Sequence, residues 1–395
     1  MEGYENFPVG KRRSKEVSLA ANIEESFGFD EKLSPAFSLR PANRAVPADT
    51  EALYPSAFGA VYAYAAGKLW LLAEGGPEEK GSFAAPPAYA AGFYEGEEAD
   101  IFGDGGSLLF LTAGGSGVQE NVSGRPLCGC RGSLVLADGG AVRVSAPFSP
   151  HEFSVGAGAW EWRVDPQAGG IVGGAEIGGS LYVFCERGVY RSTPDGYARE
   201  AEISRIPTDT EKICAFAAEI GRAYCFTSAG RLYVFDGDFR LLAEEATFKP
   251  STLKACAFAG GCAVSVSPGR LLAYDAERQS VSRIAAEVSA LGGRFALAGN
   301  ELTAFSRENA GGRVLSKPID FGTRAPKKLA RLDYSGRGRL SVGVISERGQ
   351  KRFSLAEGES AYPKMSGRSF QFSVETEAGA EIGKITAVYT VIGEE

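Results

Sequence analysis

The feature that most constrains the fold is a recurring hairpin grammar: a glycine, a short alternating apolar run, a turn, and often a second alternating run. The copies read GAVYAYAAGKLWLLAEGG from Gly59, GSLLFLTAGG from Gly106, GSLVLADGGAVRVSAP from Gly132, GSLYVFCERGVYRST from Gly179, GRAYCFTSAGRLYVFDGD from Gly221, GGCAVSVSPGRLLAYDAE from Gly260 and GGRFALAGNELTAFSRE from Gly292. Their glycines stand 47, 26, 47, 42, 39 and 32 residues apart, a mean of about 39, close to the ~40 to 45 residues of a four-stranded propeller blade. Within a copy, Leu181, Val183 and Cys185 alternate with Tyr182 and Phe184, so both faces of the strand are apolar. Such a strand belongs between two packed sheets, as inside a blade flanked by other blades. The turns AAG, ERG, SAG, SPG and AGN supply Gly or Asn where tight hairpins need positive φ, and 52 glycines in 395 residues exceed the ordinary share.

These patterns predict an all-β chain. Residues 47–312 read as a β-propeller of about seven blades, with an irregular set of hairpin-rich β-sandwiches as the alternative. Helical signal is confined to a short candidate at Glu16 to Phe27. Residues 1–46 are polar, contain proline and lack the repeat, which suggests an extended N-terminal arm. Its basic run, Lys11, Arg12, Arg13 and Lys15, is either a solvated terminus or a partner contact. After Gly311 and Gly312 the texture changes to RVLSKPIDF, LARLDYS, RLSVGVISE, KRFSLAE, SFQFSVETE and KITAVYTVI. Six strands in residues 313–395 suggest a small C-terminal β-sandwich, jelly-roll-like. Residues 313–395 hold 14 Lys plus Arg against 10 Asp plus Glu, a net +4, which leaves -11 for residues 1–312. Lys327 and Lys328 in this basic part are further candidate partner contacts.

Chemistry is harder to find. The solitary His151 removes any His–His dyad or multi-His metal site, and the net charge of -7 provides no basic field for nucleic acid. No apolar run approaches the ~20 residues of a membrane span, and none fits a signal peptide. The seven cysteines, Cys128, Cys130, Cys185, Cys214, Cys225, Cys256 and Cys262, mostly occupy strand-like apolar positions and read as reduced, buried thiols. Cys128 and Cys130 form CxC, with no second pair at zinc spacing. Asp104, Asp138, Asp195, Asp236 and Asp275 lie in GDGG, ADGG, TPDG, FDGD and YDAE, where an aspartate bonds its own turn. STPDG, from Ser192, has the look of a sialidase Asp-box without its aromatic end. Nucleophile elbows are absent, and the glycine clusters GGSG and GGIVGG lack the helix of a phosphate cradle. No catalytic, cofactor or metal residues are therefore expected. Trp160 and Trp162 fall on one strand face, either as core packing or as a stacking platform for a sugar or base. The platform reading supports a rival function, a propeller that binds or cleaves cell-surface glycans, which needs two carboxylates about 5 to 9 Å apart.

Two resemblances bear on these alternatives. GRLYVFDGD and GRLLAYDAE, at Gly230 and Gly269, look like the repeat tails of quinoprotein-like propellers, without their docking tryptophans. The passage from Cys130 to Thr193 resembles structural propellers of tailed phages, of the packaged-DNA stabilisation or tail-nozzle type. It carries S-x-P-x-x-P-x-x-F at Ser145, Pro147, Pro150 and Phe153, then G-x-I-x-G around Gly170, Ile171 and Gly173, then G-x-L-Y-V-F-x-x-x-G-V-Y from Gly179 to Tyr190. RVLSKPIDFGTRAPKKLARLDYS resembles the opening of a β-sandwich appended to such proteins. The resemblance implies a non-enzymatic virion component of the tail, neck or tail tip, made in the host cytoplasm. It would assemble with other virion proteins and with itself as a ring around or beside the DNA exit path. DNA would pass without specific binding, since an acidic body repels phosphates. A bacterial propeller scaffold for protein binding is the third reading.

Overall fold

The computed structural model describes residues 15–18, 23–27, 37–192, 202–204, 211–250, 253–307 and 311–392. These are strands and turns, with 3-10 turns at Val155–Ala157 and Pro166–Ala168; among them no helix is long and apolar enough to cross a membrane. The chain divides into two compact units, residues 39–281 with 285–305, and residues 1–38 with 282–284 and 306–395.

The larger unit is built from antiparallel four-strand meanders. Thr50–Pro55, Val61–Ala65, Lys68–Ala73 and Gly76–Ser82 form one, in sequence order. The same order recurs from Ile171–Ile177 to Glu202–Ser204, from Ile213–Glu219 to Phe239–Glu244, and from Lys254–Phe258 to Ser280–Ile284. A seven-stranded sheet running from Ala88–Tyr94 to Trp160–Arg163 is two meanders that share the 15-residue strand Ser116–Cys130. Up to Gly124 this strand pairs with Gly105–Thr112, and from Arg125 it pairs with Ser133–Asp138. Gly124 sits at φ +113, a conformation that suits glycine at the change of partner. The meander of Val288–Gly292, Phe295–Ala298 and Glu301–Ser306 takes its outer strand, Ser38–Pro41, from the far end of the chain.

Consecutive meanders share apolar cores. Leu53 and Val61 pack with Phe295 and Leu302, Tyr62 and Leu69 with Phe102 and Leu109, and Ile101 and Phe110 with Leu134 and Leu136. Val135 and Val142 meet Leu181 and Val183, Phe184 and Val189 meet Cys225 and Phe235, and Phe226 and Val234 meet Val264 and Leu272. Phe258 stacks on Phe305 at 5.0 Å, so the chain of contacts returns to its start. This cyclic stack is a β-propeller arrangement, which explains why its strands are apolar on both faces. Several first strands are rich in small residues, as in AYAAGFY, IVGGAEI and ICAFAAE. A Cβ on Gly129 would stand 2.6 Å from the Ala91 carbonyl oxygen, and one on Gly292 2.4 Å from the Leu53 backbone. Strands that converge this closely have no room for larger side chains.

The irregular glycine spacing has a structural cause. The other repeat glycines fall in or beside the turn after a first strand, whereas Gly106 lies in Gly105–Thr112, a third strand. The equivalent turn is Glu95–Gly96, with φ +53 and +85. Counting from Gly59 through Gly96 to Gly132 gives steps of 37 and 36 residues.

The smaller unit has two sheets around one core. One runs Lys15–Ser18, Glu381–Val391, Lys327–Arg337, Ser360–Ala361, with Met365–Gly367 also on Lys327–Arg337. The other contains Ile23–Phe27, Gly312–Ser316, Gln371–Thr376, Leu340–Ser346 and Gly349–Leu355. Between them lie Val342, Val344, Phe370, Phe372, Leu329 and Tyr389. The six strands read from the sequence are all present. The short helix expected over Glu16 to Phe27 is not: its backbone forms two strands, with Glu16 opposite Val388 and Ser26 opposite Val314. Pairing with sheet edges outweighs a helical preference too short to sustain itself.

Candidate interaction face

Several residues singled out by sequence have a different role in the fold. Lys327 is fully buried, and its ammonium donates to the carbonyls of Thr323, Ala325 and Arg368. Burial lowers its pKa, with Asp320 and Glu347 acting in the opposite direction. It is thus withdrawn as a partner contact, being an internal tie between two loops, whereas its neighbour Lys328 is exposed. Trp160 and Trp162 pack against the core shared with the next meander, and the Trp162 ring lies 5.1 Å from Tyr190. Both indoles therefore contribute to core packing while remaining half-buried. Lys15 opens a strand opposite Tyr389; Lys11, Arg12, Arg13 and Asp195 lie outside the described residues.

Two of the turn aspartates, Asp104 and Asp275, bond their own turns. Burial would raise the Asp104 carboxyl, but N–H groups including those of Gly106 and Ser107 hold it below the usual range. Asp275 accepts from the N–H groups of Glu277 and Arg278. Burial pushes the thiols of Cys130, Cys185 and Cys256 up to about 12, which makes them inert packing groups; Cys214, by contrast, is exposed.

Sequence reading passed over Asp100, the one fully buried carboxylate of the ADIF run. It accepts from the Ser56 hydroxyl at 2.6 Å, the Ala57 N–H at 2.8 Å and the Tyr89 hydroxyl at 2.9 Å. Burial, followed by the charge of Asp100, raises the pKa of Tyr62 and of Tyr89. The signal was present: a carboxylate between Ala99 and Ile101 in a strand apolar on both sides. Its effect is to hold the turn that displays Phe58.

That turn belongs to a larger pattern. In a meander, the turns after the first and third strands lie at the same end. Phe148, from a third-to-fourth connection, donates its N–H to the Gly132 carbonyl in a first-to-second turn. Adjacent meanders are aligned too, since a Cβ on Gly179 would stand 2.7 Å from the Arg131 guanidinium and one on Gly293 2.9 Å from Pro55. These turns therefore share one face of the propeller.

Most of the exposed large apolar side chains of this unit, among the described residues, lie toward that face. Phe58 and Ile220 occupy first-to-second turns, Phe93 lies near the end of a first strand, Val118 near the start of an outer one, and Phe148 and Val155 in the loop after Ala141–Val144, while Leu241 sits on an outer strand opposite the mid-strand Tyr233. Phe148 is 73% exposed, Val155 72% and Ile220 fully. The loop of Phe148 is built rather than loose. The Ala146 N–H donates to Glu152, the Glu152 N–H to Ser149, and the Gln119 amide to His151; the Arg143 guanidinium covers the Phe153 ring. Phe148 is held at φ +56, a conformation that costs a non-glycine residue about 1 kcal/mol. A rigid loop thus spends strain to hold an aromatic ring in solvent, a combination common at functional surfaces.

The opposite face is chemically different. Lys212 pairs with Glu186 at 2.9 Å, Arg231 with Glu211 at 2.5 Å and Glu244 at 2.8 Å, and Arg270 with Glu245 at 2.9 Å. Glu211 and Glu245 are buried.

No protein-family model matches the sequence, and no curated protein sequence does. Solved structures with a similar outline include the WD40 repeats of RRP9, 11% identical over 68% of this chain and 99% of that one, at a TM-score of 0.46. Another is PorZ, a surface component of the type-IX secretion system of Porphyromonas gingivalis, 12% identical over 80% of this chain and 46% of that one, at 0.45. The extracellular domain of the putative hybrid two-component system BT4673 of B. thetaiotaomicron is 12% identical over 82% of this chain and 47% of that one, at 0.48.

Proposed function

We propose that this chain is a non-enzymatic assembly protein: a seven-bladed β-propeller with a C-terminal β-sandwich, docking protein partners through its apolar turn face. The blade count takes each four-strand meander as one blade and divides the seven-stranded sheet in two. The single observation that carries the reading is the segregation of exposed apolar side chains onto one face, led by the strained Phe148. Exposed aromatic and aliphatic anchors on a rigid frame supply binding energy without much ordering cost. The more specific form of the proposal follows the resemblance at residues 130–193: a virion component of the tail, neck or tail tip, closing or extending the DNA exit path.

A photoreactive phenylalanine analogue at position 148, in the cells that make the protein, tests the docking face. Cross-links to protein at 148, and none from the same group at Ala66 on the opposite face, are the expected result; equal yields at the two sites would overturn it. Electron microscopy of purified particles with an antibody to residues 313–395 tests the virion form, which fails if intact particles lack the label.

A further inference from the structure

Resting on that docking face, we infer that its partner is the C-terminal unit of a second copy of this chain, so that copies assemble head to tail. One part of the face is both apolar and acidic. Phe93 and Val118, 41% and 64% exposed, adjoin the hairpin that carries Glu95, Glu97 and Glu98, with Phe93 directly opposite Glu98. All three glutamates are exposed.

The smaller unit carries the complementary chemistry. Tyr362 is 62% exposed and Ile345 37%. The Lys351 ammonium donates to the Pro363 carbonyl at 2.9 Å, which brings the Tyr362 loop beside the hairpin of Ile345. Exposed Arg348 and Lys364 flank them, while Arg352 pairs with Glu375 at 3.1 Å and Glu347 accepts from the Arg368 N–H; residues 313–395 as a whole carry a net charge of +4. Beside Ile345, where Gly343 lacks a side chain, a cleft of about 280 Å³ opens. A Cβ on Gly343 would come within 2.4 Å of the Ser373 hydroxyl. An aromatic ring with acidic neighbours meets in this cleft Ile345 beside Gly343 and Ser373, with Lys351 and Arg352 along its edge. Opposite charges around apolar anchors fix register and exclude like-charged pairings. Because the two surfaces differ, the interface is heterologous: it closes a ring if the rotation permits and otherwise grows a filament.

Sedimentation velocity of the purified full chain over a wide concentration range tests this. The wild type associates, and more weakly at high salt. Glu97→Lys with Glu98→Lys makes both surfaces basic and weakens association on the order of tenfold or more. Arg348→Glu with Lys364→Glu makes both acidic, with the same effect. Mixing the two variants restores alternating assembly, an outcome misfolded variants cannot produce. A wild type that stays monomeric, variants that associate like the wild type, or a mixture that stays monomeric would each overturn the inference. The two proposals fail separately: a monomeric chain that still cross-links other proteins through position 148 removes the second copy and leaves the docking face. Self-association with no cross-link at position 148 removes the docking face as its site.

Discussion

The two faces of the propeller are built from the same meanders yet differ in chemistry. At the end bearing the second-to-third turns, charges are compensated locally: Arg270 meets Glu245, Arg231 meets Glu211, and Lys212 meets Glu186. At the other end the turns hold apolar side chains in water, fixed from beneath by polar anchors such as Asp100. One face pairs several of its charges within the chain. The other has used its interior bonds to pre-form turns whose outer side chains are left to solvent. Stability and association are therefore expected to separate by face.

The largest effect is expected beneath the apolar face. Asp100→Ala leaves the Ser56 and Tyr89 hydroxyls and the Ala57 N–H without their acceptor, a loss of about 3 kcal/mol in urea unfolding. A loss under 1 kcal/mol would show that the turn does not depend on this anchor. On the paired face, Arg270→Met removes an ion pair from the buried Glu245 carboxylate, and about 2 kcal/mol is expected, below the figure for fully buried pairs because Arg270 keeps 26% of its side chain exposed. Association should be unchanged; any loss would mean that the paired face also binds. Phe148→Asn reverses the sign. Asparagine tolerates the left-handed backbone better than phenylalanine, so unfolding should show a gain of about 0.5 kcal/mol, together with weaker docking. A destabilised Phe148→Asn would instead make the ring a packing residue. The smallest stability change belongs to Ile220→Ser, within about 0.5 kcal/mol of the wild type at a fully exposed site. It sharpens the comparison only if docking weakens.

Legibility followed the range of the interactions. Hairpins such as Ser180–Cys185 with Gly188–Ser192 were readable because their pairing partners lie a turn away. The role of Asp275 was readable for the same reason. Lys327 was misread because the carbonyl of Arg368, 41 residues on, completes its cage, and nothing near Lys327 announces it. The 15-residue strand was hidden because one uninterrupted run serves two meanders, with only Gly124 to mark the change. The candidate face was legible only in pieces: the motif around Ser145 and Phe153 marked its loop, while Phe58, Phe93 and Ile220 looked like unrelated turn residues.

By itself the sequence determined that this chain would be strands and hairpins, apolar on both sides in the repeat region and differently textured after residue 312. Period-two alternation and turn glycines act over a few residues and leave little choice. Tertiary structure alone decided that Ser38–Pro41 joins Glu301–Ser306, that Lys327 is internal, and that the exposed large apolar turn residues of the propeller, among the described residues, lie on one face. Alternation says which side of a strand a residue occupies. It does not say which strand end will stand beside which other end once distant segments have packed.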